Sequence, residues 1–157
     1  MDLLDKKYIC LNQRVENRYQ AIHLAAAPLL ADGKIRETFM DAVCMREIEY
    51  PTGLDTPIGV AIPHTDAFHV VEDAISMVTL ANPVSFHLMG TPEETVDVSI
   101  VFLLAIRNSS RQTEVLGQLI NLIRDTERLE QILELSDVDE VYRLIQIIKD
   151  EMIKTKK

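Results

Sequence analysis

The run Asp97-Val98-Ser99-Ile100-Val101-Phe102-Leu103-Leu104-Ala105-Ile106 is rich in Val, Ile and Leu and lacks polar alternation. A strand with one wet face alternates apolar and polar residues; a strand without alternation has to be covered on both faces. The run therefore predicts a central strand, in a sheet that needs helices packed against it. Ile58-Gly59-Val60-Ala61-Ile62 reads as a second strand buried on both faces. Pro63 ends it, because proline has no N–H to give the ladder and fixes its own φ. Ala74–Leu80 and Val84–His87 read as two further strands, separated by a turn at Asn82-Pro83.

Helical spacing brackets these strands. Ala21, Ile22, Leu24, Ala25, Leu29 and Leu30 predict a helix over 15–31, with Pro28 disturbing its last turn and Asp32-Gly33 as its stop. Phe39, Met40, Val43 and Cys44 form the inner face of a second helix at about 35–48, broken by Tyr50-Pro51-Thr52-Gly53. From Arg111 the pattern is helical again, with Val115, Leu116, Leu119, Ile120 and Ile123 on one face. Leu129, Ile132 and Leu133 belong to a short helix. Ser136-Asp137-Val138-Asp139 resembles a capping box before a last helix to about Met152, and Lys154 to Lys157 reads as a frayed basic end. The expected fold is α/β: a sheet flanked by helices, in a single domain spanning 1–157.

Size and charge narrow the partners. The 157 residues suffice for one full core, and 47% apolar with 26% charged residues describe a soluble globular chain. The formal net charge of −9 argues against nucleic acid or an anionic membrane and favours a basic protein surface or a neutral small molecule. Two cysteines, Cys10 and Cys44, are expected to be core fillers. Without an apolar leader or a run approaching the ~20 residues of a membrane helix, the expected location is the cytoplasm.

The chemistry concentrates at His64. The Gly59–Pro63 strand delivers it at a strand's C-terminal edge, where open α/β sheets put their ligands. A histidine on a pre-set backbone is a nucleophile or proton carrier at neutral pH. Arg46, in the last turn of the second helix, either pairs with a nearby Glu or folds over the strand end to neutralise an anion held by His64. The other histidines lack metal-ligand spacing: His64 and His69 are five apart across a strand end, His23 is on a helix, and His87 lies before Met89-Gly90. No metal site and no cofactor are expected. The chain has no Gly-x-Ser-x-Gly, Walker-type or Gly-x-Gly-x-x-Gly motif. Glu47, Glu49, Asp55, Asp66, Glu72 and Asp73 read as solvated surface.

Arg46-Glu47-Ile48-Glu49-Tyr50-Pro51-Thr52-Gly53, followed by Gly59-Val60-Ala61-Ile62-Pro63-His64, resembles the fructose/mannitol-type enzyme IIA domains of the bacterial sugar phosphotransferase system. The likeness covers nearly the whole chain. It implies a mixed sheet with helices on both faces and a ping-pong relay. The phosphohistidine of HPr gives its phosphoryl group to His64, which hands it to a cysteine of a IIB component while the membrane IIC component moves the sugar. Arg46 stands at the position of the family's phosphate-neutralising arginine. Two positions depart from the mannitol pattern. Thr65 replaces the usual glycine, and its hydroxyl either donates to a phosphoryl oxygen or caps the next turn. Gln112 stands at or within one residue of a second active-site histidine.

Those departures are similar to the galactitol-type subgroup, in which a further histidine lies five residues downstream of the acceptor, where His69 stands here. A chain that starts and stops with the domain also suits systems whose IIA, IIB and IIC components are separate proteins. The alternative implied by the same motif is a regulatory IIA protein of the nitrogen-related type, which acts by binding proteins according to its phosphorylation state.

Overall fold

The computed structural model describes residues 3–155. Its elements run β1 (Leu4–Gln13), α1 (Arg18–Ala31), α2 (Phe39–Glu49), β2 (Gly53–Leu54), β3 (Gly59–Ala61), β4 (Ala74–Leu88), β5 (Thr91–Ala105), α3 (Ser109–Ile123), α4 (Thr126–Glu134) and α5 (Val138–Thr155). A 3₁₀ turn, Ala67–His69, lies between β3 and β4.

The scaffold is the antiparallel β4–β5 pair, which runs from Ala74↔Ala105 to Leu88↔Thr91 with register shifts on the way and is joined through Met89-Gly90, where Gly90 has φ +81°. β5 receives β3 in parallel along its other side, through Gly59↔Val98, Val60↔Ile100 and Ala61↔Val101. It is thus an interior strand, as its apolar run predicts. Ile100, Val101, Phe102, Leu103, Leu104 and Ala105 point alternately to both faces, and all are buried. α1 packs on β1, β4 and β5. Leu119, Leu122, Leu129, Ile132, Val141 and Ile145 of the C-terminal helices join the same core. The five-stranded sheet is mixed, with β1 parallel to β4 and β2 antiparallel to β3.

Three local expectations change. β1, which no sequence pattern announces, pairs with β4 through Leu4↔Ile75, Ile9↔Met77, Cys10↔Val78 and Gln13↔Leu80. Register shifts break its alternation, and the exposed Asp5, Lys6 and Lys7 disguise it while protecting a sheet edge. Asn82-Pro83 is no turn: β4 runs through it, and a register shift between Thr79 and Val84 leaves the exposed Pro83 outside the regular ladder. The end of α1 is as expected: with Pro28 inside it, the helix runs to Ala31 before Asp32 and Gly33 (φ +71°) end it. The last helix begins with the Asp137 carboxylate accepting from Asp139 N–H at 2.8 Å, rather than with a reciprocal box. It extends to Thr155, past the expected end, and residues 156–157 lie outside the described residues. Cys10 and Cys44 are free and half-buried, and burial pushes both thiols up from their ordinary pKa.

Gly59 has a specific steric duty. A Cβ built on it would meet the Asp97 carbonyl oxygen at 1.8 Å, a collision with backbone that no rotamer relieves. It sits at the register shift between β3 and β5. Gly59→Ala is expected to force β3 off β5 and to destabilise the protein by about 3 kcal/mol, the upper range for overpacking a fixed environment. The urea midpoint should fall accordingly; an unchanged midpoint would show that β3 docks elsewhere.

Candidate active site

β3 is only three residues long, and two further contacts carry its direction forward. The Leu104 N–H donates to the Pro63 carbonyl at 3.0 Å, and His64 forms an isolated parallel bridge with Leu104. His64 therefore leaves the sheet at a point fixed by β5. Its ring is half-buried, and Nδ1 lies 2.9 Å from the Ile62 carbonyl oxygen. A carbonyl only accepts, so Nδ1 carries the hydrogen and the lone pair of the neutral ring sits on Nε2. The imidazole pKa is lowered, first by burial and also by the Arg46 charge; the Ile62 hydrogen bond and Asp66 oppose this. The ring is accordingly neutral at pH 7, with one nitrogen anchored and the other available as a nucleophile.

Arg46 comes from the last turn of α2 and is close enough for its charge to act on His64. Its Nη1 lies 3.8 Å from the Asp66 carboxylate, and its guanidinium rests over the Tyr50 ring at 5.2 Å. Asp66 is exposed, and an exposed pair at this distance holds weakly. Arg46 is thus positioned by stacking and can exchange Asp66 for a stronger anion.

The three supporting residues fare differently. Thr65 is buried beside His64, but the N-cap of the following 3₁₀ turn is Asp66, so capping of that turn by Thr65 is ruled out. His69 turns toward the start of α2, with Nδ1 2.7 Å from Thr38 Oγ1 and its ring edge-on to Phe68. Thr38 and Arg46 are eight positions apart, roughly 12 Å along a helix axis. Among the described residues, His69 has no hydrogen bond to His64. Gln112 is half-buried in the first turns of α3, with its N–H on the Asn108 carbonyl at 2.9 Å, and likewise has no hydrogen bond to His64. The Arg46 charge acts on His64, whereas His69 is hydrogen-bonded to Thr38 and the Gln112 N–H to Asn108.

The largest correction concerns Glu47. Instead of facing water it is 2% exposed, and its carboxylate accepts from the Thr52 N–H at 2.8 Å and the Thr52 hydroxyl at 2.9 Å. Burial pushes its pKa up to about 7, against the opposing pull of the Thr52 hydrogen bonds and the Arg18 charge. Its helical spacing from Phe39 and Val43 places it on their buried face and was the available signal. Apolar side chains also flank the site in the open: Met45 is 71% and Phe68 69% exposed, and Ile48, Tyr50 and Val71 are exposed as well. A cavity of about 840 Å³ lies elsewhere, lined by Tyr19, His23, Leu24 and Met40 among others.

Comparison with known proteins gives the family and the fold. Residues 2–147 match the family described as "Phosphoenolpyruvate-dependent sugar phosphotransferase system, EIIA 2". The chain is 33% identical over 144 residues to the 2-O-alpha-mannosyl-D-glycerate-specific EIIABC component of Escherichia coli K12, covering 88% of this chain and 21% of that longer protein. It is 30% identical over 110 residues to the galactitol-specific EIIA component of the same strain, covering 69% of this chain and 73% of the relative. In fold it matches a chain in the complex of enzyme IIA and phosphorylated enzyme IIB for mannitol from Escherichia coli. The TM-score is 0.77 at 22% identity, over 92% of this chain and 99% of that one. The chain therefore belongs to the EIIA 2 family of the phosphoenolpyruvate-dependent sugar phosphotransferase system, as a phosphotransferase component.

Proposed function

We propose that His64 is the phosphoryl acceptor of a sugar-uptake relay, taking the group from phospho-HPr and giving it to a IIB cysteine. The observation that carries this is the Nδ1–H···O=C bond to Ile62, which leaves Nε2 as the only free nucleophile on the ring. In the first step Nε2 attacks phosphorus as the donor's P–N bond breaks, and the donor histidine keeps that bond's electron pair. No proton has to leave Nε2. Because Nδ1 keeps its hydrogen, the phosphorylated ring is cationic. When the IIB thiolate attacks phosphorus, the pair of the His64 P–N bond returns to Nε2 and a neutral imidazole departs. A neutral leaving group is what lets a phosphohistidine pass its cargo on. Such transfer is mostly positioning and charge stabilisation, and Arg46 supplies the charge by exchanging Asp66 for the phosphoryl oxygens.

Thr65 and Gln112 are the neutral donors assigned to the phosphoryl group's outer oxygens. His69 supports the site by tying the turn after His64 to Thr38. The exposed Met45, Ile48, Tyr50 and Phe68 supply an apolar rim on which HPr and IIB would dock in turn. For the cargo, the Thr65–His69–Gln112 pattern favours galactitol or a related polyol, entering through a IIC component. The test is incubation with enzyme I, HPr and phosphoenolpyruvate, read by intact mass, followed by addition of candidate IIB domains. Loss of the label only to a galactitol-type IIB supports the polyol reading. A stable phosphoprotein that no IIB discharges would favour the regulatory role.

Two variants and a titration sharpen this. His64→Ala should take no phosphoryl group while keeping its far-UV circular dichroism; labelling at the wild-type level would remove His64 from the mechanism. Arg46→Ala should slow transfer to IIB by about 10²-fold, as for loss of other transition-state donors, with little change in melting temperature. Arg46→Lys should recover little of this, since an ammonium lacks the planar fork. Wild-type rates in Arg46→Ala would leave the arginine only its ion pair. The lowered His64 pKa sets the acid limb: acceptance should hold from pH 7 downward and decline only below the ordinary histidine midpoint of about 6.5. A decline beginning above neutrality would contradict a buried, neutral acceptor.

A further inference from the structure

We infer that Glu47 is a positioning residue for the transfer step, its carboxyl group clasping Thr52 and so holding the end of α2, with Arg46, against the strand that delivers His64; this rests on the phosphoryl-transfer reading above. Both partners of the clasp are buried, Glu47 at 2% and Thr52 at 4% exposure. They close the Tyr50-Pro51 segment by which the chain passes from α2 to β2. Next to Thr52, Gly53 pairs with Ala61 of β3 and with Leu88 of β4, and its carbonyl accepts from the Met89 N–H at 2.8 Å. Ala61 is three residues before His64. One carboxyl group therefore connects the helix turn carrying Arg46 to the strand carrying the acceptor.

The clasp also governs what Arg46 rests on. Successive helical residues project about 100° apart, so Glu47 faces the core while Arg46 reaches the site from the same turn. The Tyr50 ring beneath the guanidinium belongs to the segment that the clasp closes. An opened clasp would free the last turn of α2 and the ring together.

A buried carboxyl group is a costly choice for a purely structural tie, and its surroundings show how it is tolerated. Arg18 faces it from α1 and acts on both Glu47 and Cys44, and the Arg18 Nε is itself buried without a hydrogen-bond partner. Cys44 lies one turn earlier on α2, and Thr52 closes the other side. With a pKa near 7, both protonation states are accessible under working conditions. The anion accepts from the Thr52 N–H and hydroxyl; the neutral acid keeps the N–H bond and can donate to the hydroxyl instead. The clasp survives either way, so an amide of the same shape should replace it.

The test compares Glu47→Gln and Glu47→Ala for phosphoryl transfer to IIB and for the His64 imidazole titration followed by NMR. Transfer in Glu47→Gln should stay within about threefold of wild type, whereas Glu47→Ala should lose about tenfold. In an Arg46→Ala background the alanine change should cost less than about twofold more, because residues acting through one another are not additive. The His64 pKa should be higher in Glu47→Ala than in Glu47→Gln, as Arg46 moves away; both variants lack the carboxylate, so their difference isolates the clasp. Equal rates in the two variants, additive losses with Arg46→Ala, or identical His64 titrations would each overturn the inference. Should Glu47→Ala fail to fold, Thr52→Val, which keeps the N–H bond and loses the hydroxyl, is measured the same way and should raise the His64 pKa toward its unperturbed value. A wild-type protein that takes no phosphoryl group overturns the transfer reading and this inference together. Normal wild-type transfer beside an equally fast Glu47→Ala overturns this inference alone.

Discussion

The hydrogen bond from Leu104 N–H to the Pro63 carbonyl is the contact on which the site depends. β3 is too short to fix its own exit, and Pro63 offers no N–H with which to continue a ladder. The interior strand β5 takes over, holding the chain one residue before His64. The break in the ladder has a second effect. The Ile62 carbonyl is placed to accept the imidazole Nδ1–H, and that bond selects the tautomer. The same proline that ends the strand thus helps decide which nitrogen can react. Gly59 completes the arrangement, since only a residue without Cβ lets β3 approach the Asp97 carbonyl so closely.

What was legible in the sequence follows from how locally each feature is encoded. β5 announced itself because burial on both faces removes alternation, and the Gly59–His64 stretch because proline punctuates it. β1 was illegible for the opposite reason: its bulged register and charged edge residues erase the period of two, and only pairing with β4 makes it a strand. Asn82-Pro83 carried a turn signal that long-range pairing overrode, because the bulge gives proline a place outside the regular ladder. His69 lies five residues after His64, but the intervening 3₁₀ turn rotates its ring to Thr38. Sequence proximity alone does not set a side chain's partner, because a short turn reorients side chains within a few residues.

Glu47 shows a different kind of limit. Its type says surface, whereas its spacing from Phe39 and Val43 says core. The structure favours spacing because Thr52 satisfies the carboxyl group with two donors. A buried acid with dedicated donors remains expensive, as its raised pKa records. The helix accepts that cost at the turn where precision is most useful, beside Arg46.

α2 consequently does several jobs with different sides of one short helix. Phe39 and Val43 anchor it in the core, Glu47 ties its end to Thr52, Arg46 brings its charge to bear on His64, and Met45 and Ile48 remain exposed. These roles constrain one another. A rotation of the helix that improved the burial of Met45 would withdraw Arg46 from His64 and pull Glu47 from Thr52. The exposed apolar residues are therefore a consequence of the helix orientation and, in the proposed relay, the surface for docking. A partner covering them would bury apolar area and exclude water from Arg46, which would strengthen its hold on a phosphoryl group. In the proposed relay docking and charge stabilisation would then be coupled: the arginine, weakly held by Asp66 in the free protein, would act most strongly with the donor or acceptor protein in place.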